Sequence, residues 1–416
     1  MNCGLIGYPL GHSYSRQIHR ALADYDYHLW ELKPEELASF LQKRDFAGIN
    51  VTIPYKEQVI PYLDGLSDTA RAVGAVNTVV NRDGRLLGDN TDLPGMLALI
   101  RRLGLELSGK KVLILGTGGT SKTARTAAMR LGAAEICRVS RSGRGDAVTY
   151  EQAAGKHGDT AFVINTTPCG MYPNVEDCPL ELELELERFP RLEGVVDAVY
   201  NPLRSNLVLN ARRRGIAAEG GLYMLAAQAA YASALFRGCE ATREEIDLAY
   251  DTVLRQMENV VLIGMPSSGK TTVGQLLAQR TGKMFMDTDA MVEQAVGMSI
   301  PAYFAARGES EFREREREAV ATAASVGGRV IATGGGAVLR EENLRALRRS
   351  GRLIFLDRSP DKLTATADRP LSADQEALRR RYAERYDLYC AAADLRVDGD
   401  GSPEEVAELI EKEWIR

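Results

Sequence analysis

NVVLIGMPSSGKTT, residues Asn259–Thr272, is the stretch whose reading decides the architecture of this chain. Val260–Ile263 is an apolar run that reads as a buried strand. It leads directly into the pattern GxxxxGK[ST] at Gly264–Thr271, and a helical pattern follows. In such a loop backbone N–H groups cradle phosphates, the lysine reaches the β- and γ-phosphates, and the next hydroxyl ligates Mg²⁺. Lys270 and Thr271 take those two roles, with Gly264, Ser267, Ser268, Gly269 and Thr272 as further nucleotide contacts. A phosphate loop follows the first strand of its fold, so a new domain begins near Glu258. The loop alone does not separate a kinase from a GTPase or a motor.

Downstream, FMDTDAMVE (285–293) sets Asp287 and Asp289 at the end of the next strand. A period of two puts both on one side of that strand. One carboxylate, Asp287, can serve Mg²⁺; the other, Asp289, can take the proton of a substrate hydroxyl. EFREREREAV (311–320) offers Arg313 on a helix, where a charge in isolation is usually solvated. VIATGGGAV (330–338) offers Gly334, Gly335 and Gly336 after a strand, where a ligand can approach backbone closely.

Upstream, KKVLILGTGGTSKTA (110–124) is a second strand, glycine turn and helix. Gly116, Gly118 and Gly119 suit a tight turn that brings a pyrophosphate to the helix N-terminus, with Thr120 beside it. Ser121 stands where a third glycine is usual. The following strand, EICRVS (135–140), ends in Ser140, Arg141, Ser142 and Arg144 rather than in an acid. An acid would hold ribose hydroxyls, whereas arginine suits a 2′-phosphate, so NADP is favoured over NAD.

The chain has 416 residues, 45% hydrophobic and 26% charged, enough for two or three globular domains. A net charge of −5 argues against general nucleic-acid binding. Six scattered cysteines without a CxxC pair point to free thiols in a reducing cytoplasm. No signal peptide and no run of roughly 20 apolar residues is found, so no membrane is expected. NCGLIG, FAGINVTIP, GAVNTVV, KKVLILG, AEICRVS, AFVINTT and GVVDAVY read as strands, followed by a helical stretch, GGLYMLAAQAAYASALFRG. Strands alternating with helices imply the α/β class with parallel sheets. TREEIDLAYDTVLRQM reads as a helix opened by Thr242 and Glu245 as a capping box. The expected division is a lobe at 1–100 completed by helices of about 221–257, a Rossmann domain at 101–220, and a P-loop domain at 258–416. ELELELE (Glu181–Glu187) carries no functional expectation.

GYPLGHSYSRQIH, INVTIPYKE, GAVNT and GDNTDLPG, in this order, resemble the substrate lobe of shikimate dehydrogenases. INTTPCGMYP, VVDAVYNPLRSNLV and GGLYMLAAQAA extend the resemblance over nearly the whole first half. It implies that Ser13 and Ser15 bind a substrate carboxylate, and that Asn50, Thr52, Asn77, Tyr200 and Gln228 contact the rest of the substrate. It implies Lys56 and Asp92 as the catalytic pair, and Thr166, Gly221 and Met224 on the cofactor side. Chemistry agrees on the pair, because hydride delivery to a ketone leaves an alkoxide that needs a proton and a nearby positive charge. As residues alone, Lys56 and Asp92 could equally form a structural salt bridge.

The phosphate loop, the DxD at 287–289, FR (312–313) and GGG (334–336) resemble shikimate kinases over residues 259–416. DRPLS resembles that family's lid and RYDLY its late substrate-binding arginine. The resemblance implies Asp289, Arg313, Gly335 and Arg385 as shikimate contacts, flanked by Gly334 and Gly336, and Arg369 as the residue stabilising the transferring phosphoryl group. The lid departs from the family: it is short, and Thr366 stands where an arginine is expected. The joint expectation is a two-activity enzyme using NADPH, ATP and Mg²⁺, which reduces 3-dehydroshikimate and phosphorylates the shikimate formed. The alternatives are a catalytically weak, regulatory half, or a related polyol such as quinate as substrate.

Overall fold

The structure is a computed structural model that describes residues 1–11, 13–179, 186–363 and 375–415. Thr366, Arg369 and most of the ELELELE segment lie outside the described residues. The chain forms two compact units, Met1–Leu254 and Arg255–Arg416.

The first unit contains two sheets. One is built from β1 (Asn2–Gly7), β2 (Asp26–Glu31), β3 (Gly48–Val51), β4 (Gly65–Leu66), β5 (Thr78–Arg82) and β6 (Arg85–Asp89), in the order β2-β1-β3-β5-β6-β4. It departs from the expected parallel arrangement, because β5 runs antiparallel to both β3 and β6. The reason is local. Only Asp83 and Gly84 connect β5 to β6, and both have positive φ, 51° and 81°. Two such residues make a tight hairpin, and a connection that short cannot join parallel strands.

The other sheet is wholly parallel. It comprises β7 (Lys111–Leu115), β8 (Glu135–Val139), β9 (Ala147–Val148), β10 (Phe162–Asn165), β11 (Gly194–Asp197) and β12 (Ala217–Glu219), ordered β12-β11-β10-β7-β8-β9. The central strands are buried end to end, as Val112–Leu115 and Phe162–Asn165 show. Continuous apolar runs are what a sheet covered on both faces requires.

The helix Leu222–Arg237 follows this sheet and returns to the first lobe. Gly95 of the helix Asp92–Arg102 allows the close approach: a Cβ there would lie 3.0 Å from the Met224 carbonyl oxygen. Phe236 packs onto Gly48 of β3. The capping box of the next helix, Arg243–Met257, forms as the sequence indicates. Thr242 N–H donates to Glu245 Oε2 and Glu245 N–H donates to Thr242 Oγ1, both at 3.2 Å.

The second unit is a five-stranded parallel sheet. Its strands are β13 (Asn259–Ile263), β14 (Met284–Asp287), β15 (Arg329–Ala332), β16 (Gly351–Asp357) and β17 (Leu395–Asp398), ordered β14-β15-β13-β16-β17. The phosphate loop, the DxD and the triple glycine leave the carboxyl ends of β13, β14 and β15. They therefore meet at one edge, where open α/β sheets bind ligands. Among the described residues no helix is long and apolar enough to cross a membrane.

Candidate active sites

In the first unit a cavity of about 500 Å³ opens between the two sheets. Ser13, Ser15, Asn50, Thr52, Asn77, Tyr200 and Gln228, scattered over more than two hundred positions in sequence, all line it. Lys56 and Asp92 line it as well, with Lys56 Nζ donating to Asp92 Oδ2 at 2.6 Å. Neither is a solvated surface charge, since their side chains are only 32% and 15% exposed. Each is positioned by backbone. The Lys56 carbonyl accepts from Val76 N–H at 2.8 Å, and Asp92 opens the helix Asp92–Arg102, whose N-terminal end favours a negative charge.

The buried amides are held from behind. Asn77 Nδ2 donates to Thr91 Oγ1 at 3.0 Å, and its Oδ1 accepts from Thr91 N–H at 2.7 Å. Asn50 Oδ1 accepts from the Tyr27 hydroxyl at 2.8 Å. Tyr27 escaped the sequence reading because, taken alone, an aromatic in a strand is a core residue. Thr120, Gly221 and Met224, expected on the cofactor side, also line this cavity, at its junction with the glycine turn.

A second cavity, about 1080 Å³, lies over the carboxyl ends of β7, β8 and β10 and is lined by Gly116, Gly118, Ser140, Arg141 and Thr166. Gly116 has φ of 106°, and a Cβ there would sit 2.8 Å from Thr166 Oγ1. At Gly118 and Gly119 a Cβ would meet open space, so the backbone at the start of the helix Gly119–Arg130 is accessible. Arg141 makes no ion pair among the described residues. These features fit a dinucleotide carrying a 2′-phosphate. Arg144 is exposed on the turn after β8 and does not line this cavity.

In the second unit a cavity of about 300 Å³ is lined by Ser267, Gly269, Lys270, Thr271, Thr272, Asp287, Asp289 and Gly335. Gly264 and Ser268 shape the loop from beneath. Lys270 Nζ donates to the carbonyls of Gly264 at 3.0 Å and Met265 at 2.7 Å, and lies 3.4 Å from Ser268 Oγ. Thr271 Oγ1 donates to Asp287 Oδ2 at 2.7 Å, which joins the two groups expected to serve a divalent cation.

The reading of Asp287 and Asp289 as two residues on one strand face is corrected by the structure. Asp287 ends β14 and caps the helix Thr288–Val296, accepting from Asp289 N–H at 3.0 Å, while Asp289 lies in the first turn of that helix. A capping carboxylate favours helix over strand at the next residue. Both still face one cavity.

Arg313 is no surface charge, being 8% exposed. Its guanidinium pairs with Glu316 at 2.9 Å and Glu309 at 3.1 Å, and it lies against Gly336, where any Cβ would collide with it. Gly334 is pressed in the same way against the Asp289 carboxylate. Arg385 Nη1 and the Tyr389 hydroxyl both donate to the Gly335 carbonyl, at 2.9 and 2.6 Å. The glycine turn is thus a meeting point for two buried arginines. Glu316, 1% exposed, was hidden in the sequence by its charge-rich surroundings.

Known proteins resemble the two parts of the chain separately. A 292-residue match at 35% identity to the shikimate dehydrogenase (NADP(+)) of Moorella thermoacetica spans 96% of that protein and 64% of this chain. The chain belongs to the shikimate dehydrogenase family. The shikimate dehydrogenase of Halothermothrix orenii is 38% identical, covering 56% of this chain and 90% of that protein. Among solved structures, shikimate 5-dehydrogenase from Thermus thermophilus in complex with NADP(H) and shikimate aligns with a TM-score of 0.53 and 31% identity, over 60% of this chain and 97% of that one. The family model for the shikimate dehydrogenase substrate-binding domain matches residues 5–79, and that for shikimate kinase matches residues 266–414. The dehydrogenase is thus fused to a shikimate kinase domain, and the chain is a bifunctional enzyme of the shikimate pathway.

Proposed function

We propose that this chain reduces 3-dehydroshikimate to shikimate with NADPH and then phosphorylates shikimate with ATP and Mg²⁺ to shikimate 3-phosphate. In this reading residues 1–100, with helices of about 221–257, hold the carbonyl substrate, residues 101–220 hold NADPH, and residues 258–416 carry the kinase. The observation that carries the first step is the Lys56–Asp92 pair at 2.6 Å inside a cavity lined by hydroxyls and amides. NADPH, when bound, supplies the hydride. Lys56 places its ammonium at the oxygen where negative charge develops and gives up a proton to it, while Asp92 holds Lys56 in place. Ser13 and Ser15 receive the carboxylate.

The kinase reading rests on Thr271 bonded to Asp287 beside Lys270. These two oxygens fit Mg²⁺, which keeps several waters and takes few protein ligands. Asp289 faces the same cavity and accepts the proton of the attacking hydroxyl, and Arg313 and Arg385 receive the carboxylate of shikimate through forked hydrogen bonds.

The test is a single mixture of the full-length protein with 3-dehydroshikimate, NADPH, ATP and Mg²⁺. Loss of NADPH with formation of shikimate 3-phosphate supports both steps. Shikimate accumulating without phosphorylation defeats the kinase step, and unchanged NADPH defeats the reductase step.

A further inference from the structure

Behind the wall of the first cavity lies a connected set of side chains that the proposed chemistry does not use. His19, Tyr25, Tyr27 and Ser233 are each more than nine-tenths buried, as is Asn50 in front of them. The Tyr27 hydroxyl reaches Asn50 Oδ1 at 2.8 Å. The His19 ring stacks on the Tyr27 ring, centroids 4.0 Å apart and planes 11° from parallel. His19 Nδ1 lies 2.5 Å from the Tyr25 hydroxyl, which donates to Ser233 Oγ at 2.9 Å. Ser233 belongs to the helix Leu222–Arg237, which also carries Gln228. The set therefore spans from one wall of the cavity to another.

Hydrogen-bond valence fixes the sense of this chain. Asn50 Nδ2 faces the Asn77 carbonyl at 3.4 Å and Thr78 Oγ1 at 3.2 Å. A carbonyl only accepts, so the amide nitrogen must point there and Oδ1 must point at Tyr27. The phenol proton is then committed to Asn50. Both ends of the amide are occupied by protein, with His19 as a further hydrogen-bond partner of the side chain beside Tyr27, so a substrate hydroxyl meets an acceptor that the protein already holds in place. Burial holds His19 neutral, pushed down to about 3, so the stack brings no cation against Asn50.

We propose that Tyr27 is a positioning residue of the dehydrogenase site, locking Asn50 so that its Oδ1 accepts from a hydroxyl of the carbonyl substrate. This rests on the reading of Asn50 as a substrate ligand. A site wired as an acceptor selects a ring position that bears a hydroxyl over one that lacks it, because the analogue leaves a buried oxygen partly unpaired.

The test is a double-mutant cycle on the full-length enzyme with Tyr27→Phe, Asn50→Ala and the pair. KM and kcat are measured for 3-dehydroshikimate and for NADPH, with the urea unfolding midpoint of the first unit as the check on folding. Tyr27→Phe keeps the ring and its stack. It raises KM for 3-dehydroshikimate about fivefold to tenfold, the size of one hydrogen bond, and leaves KM for NADPH unchanged. In the Asn50→Ala background the same change has no further effect, because its route of action is gone. Additive effects overturn the proposal, as does a Tyr27→Phe enzyme with unaltered KM. If Asn50→Ala alone leaves KM unchanged, the ligand role of Asn50 falls and the proposal falls with it. If Asn50→Ala raises KM while Tyr27→Phe does not, only the proposal falls. Should Tyr27→Phe fold poorly, Tyr27→His, which keeps a ring on His19 but withdraws the hydroxyl from Asn50, is put through the same cycle and judged by the same outcomes.

Discussion

Lys56 and Asp92 lie 36 positions apart, yet they meet at 2.6 Å because one follows β3 and the other opens a helix facing it. Lys56→Met removes both the proton donor and the local charge. It is expected to lower kcat for 3-dehydroshikimate reduction by roughly 10²- to 10⁴-fold. Kinase turnover of the same sample should not change, and a parallel loss there would point to misfolding. Two buried residues give the first unit opposing responses to pH. His19 is lowered from 6.5 to about 3 by burial, so the unfolded chain binds the extra proton and stability is lost as pH falls through that window. Asp197 is raised from 3.8 to about 6, chiefly by burial and against hydrogen bonds from Ser205, Val199 and Asn165. Here the folded chain binds the extra proton, so stability is lost as pH rises from 3.8 to 6. Urea titrations at several pH values check both signs. Relative to wild type, Asp197→Asn should gain ground as pH rises across its window, and His19→Gln should gain ground as pH falls.

At the scale of elements, turns rather than strands carry the second site. The triple glycine after β15 is a contact surface for Arg313, Arg385 and Asp289, and the collision at Gly336 explains why no side chain fits there. Gly336→Ala should displace Arg313, raising KM for shikimate in the kinase assay well above any change in KM for ATP. Equal rises in both would mean that the whole loop had moved. The helix Arg243–Met257 offers a milder test. Thr242→Ala breaks the reciprocal cap and should cost about 1 kcal/mol, read as a lower midpoint in denaturant with both activities intact. This cap was legible from four residues because capping is local. The hairpin at Asp83–Gly84 is equally local, an aspartate–glycine pair between apolar runs, and it is what turns β6 back antiparallel to β5.

At the scale of the molecule, each unit has its own apolar interior and its own ligand cavities, so the two chemistries should separate cleanly. Lys270→Met is expected to abolish phosphorylation while leaving NADPH oxidation at its wild-type rate, and Lys56→Met the reverse. Ligand-dependent melting offers an independent check: NADP⁺ and ATP with Mg²⁺ should each raise a different unfolding transition, by about 2.7 kcal/mol at a hundredfold excess over Kd. A single transition moved by both ligands would contradict two separately stabilised units.

Local chemistry was enough to find the phosphate loop, the glycine turn of the dinucleotide fold, the arginine after β8 and the cap at Thr242, since each depends on a few adjacent residues and their backbone. Ordered motifs were enough to name the families and to nominate Lys56, Asp92 and the hydroxyls and amides that share their cavity. What a linear reading could not supply was burial and convergence. Only folding turned Arg313 from an apparent surface charge into a buried arginine paired with Glu316, moved Asp289 from a strand onto a helix, and set Tyr27 and His19 behind Asn50. Those outcomes depend on contacts between distant segments, and the energy of a charge or an amide is set by what surrounds it in space rather than by its neighbours in the chain.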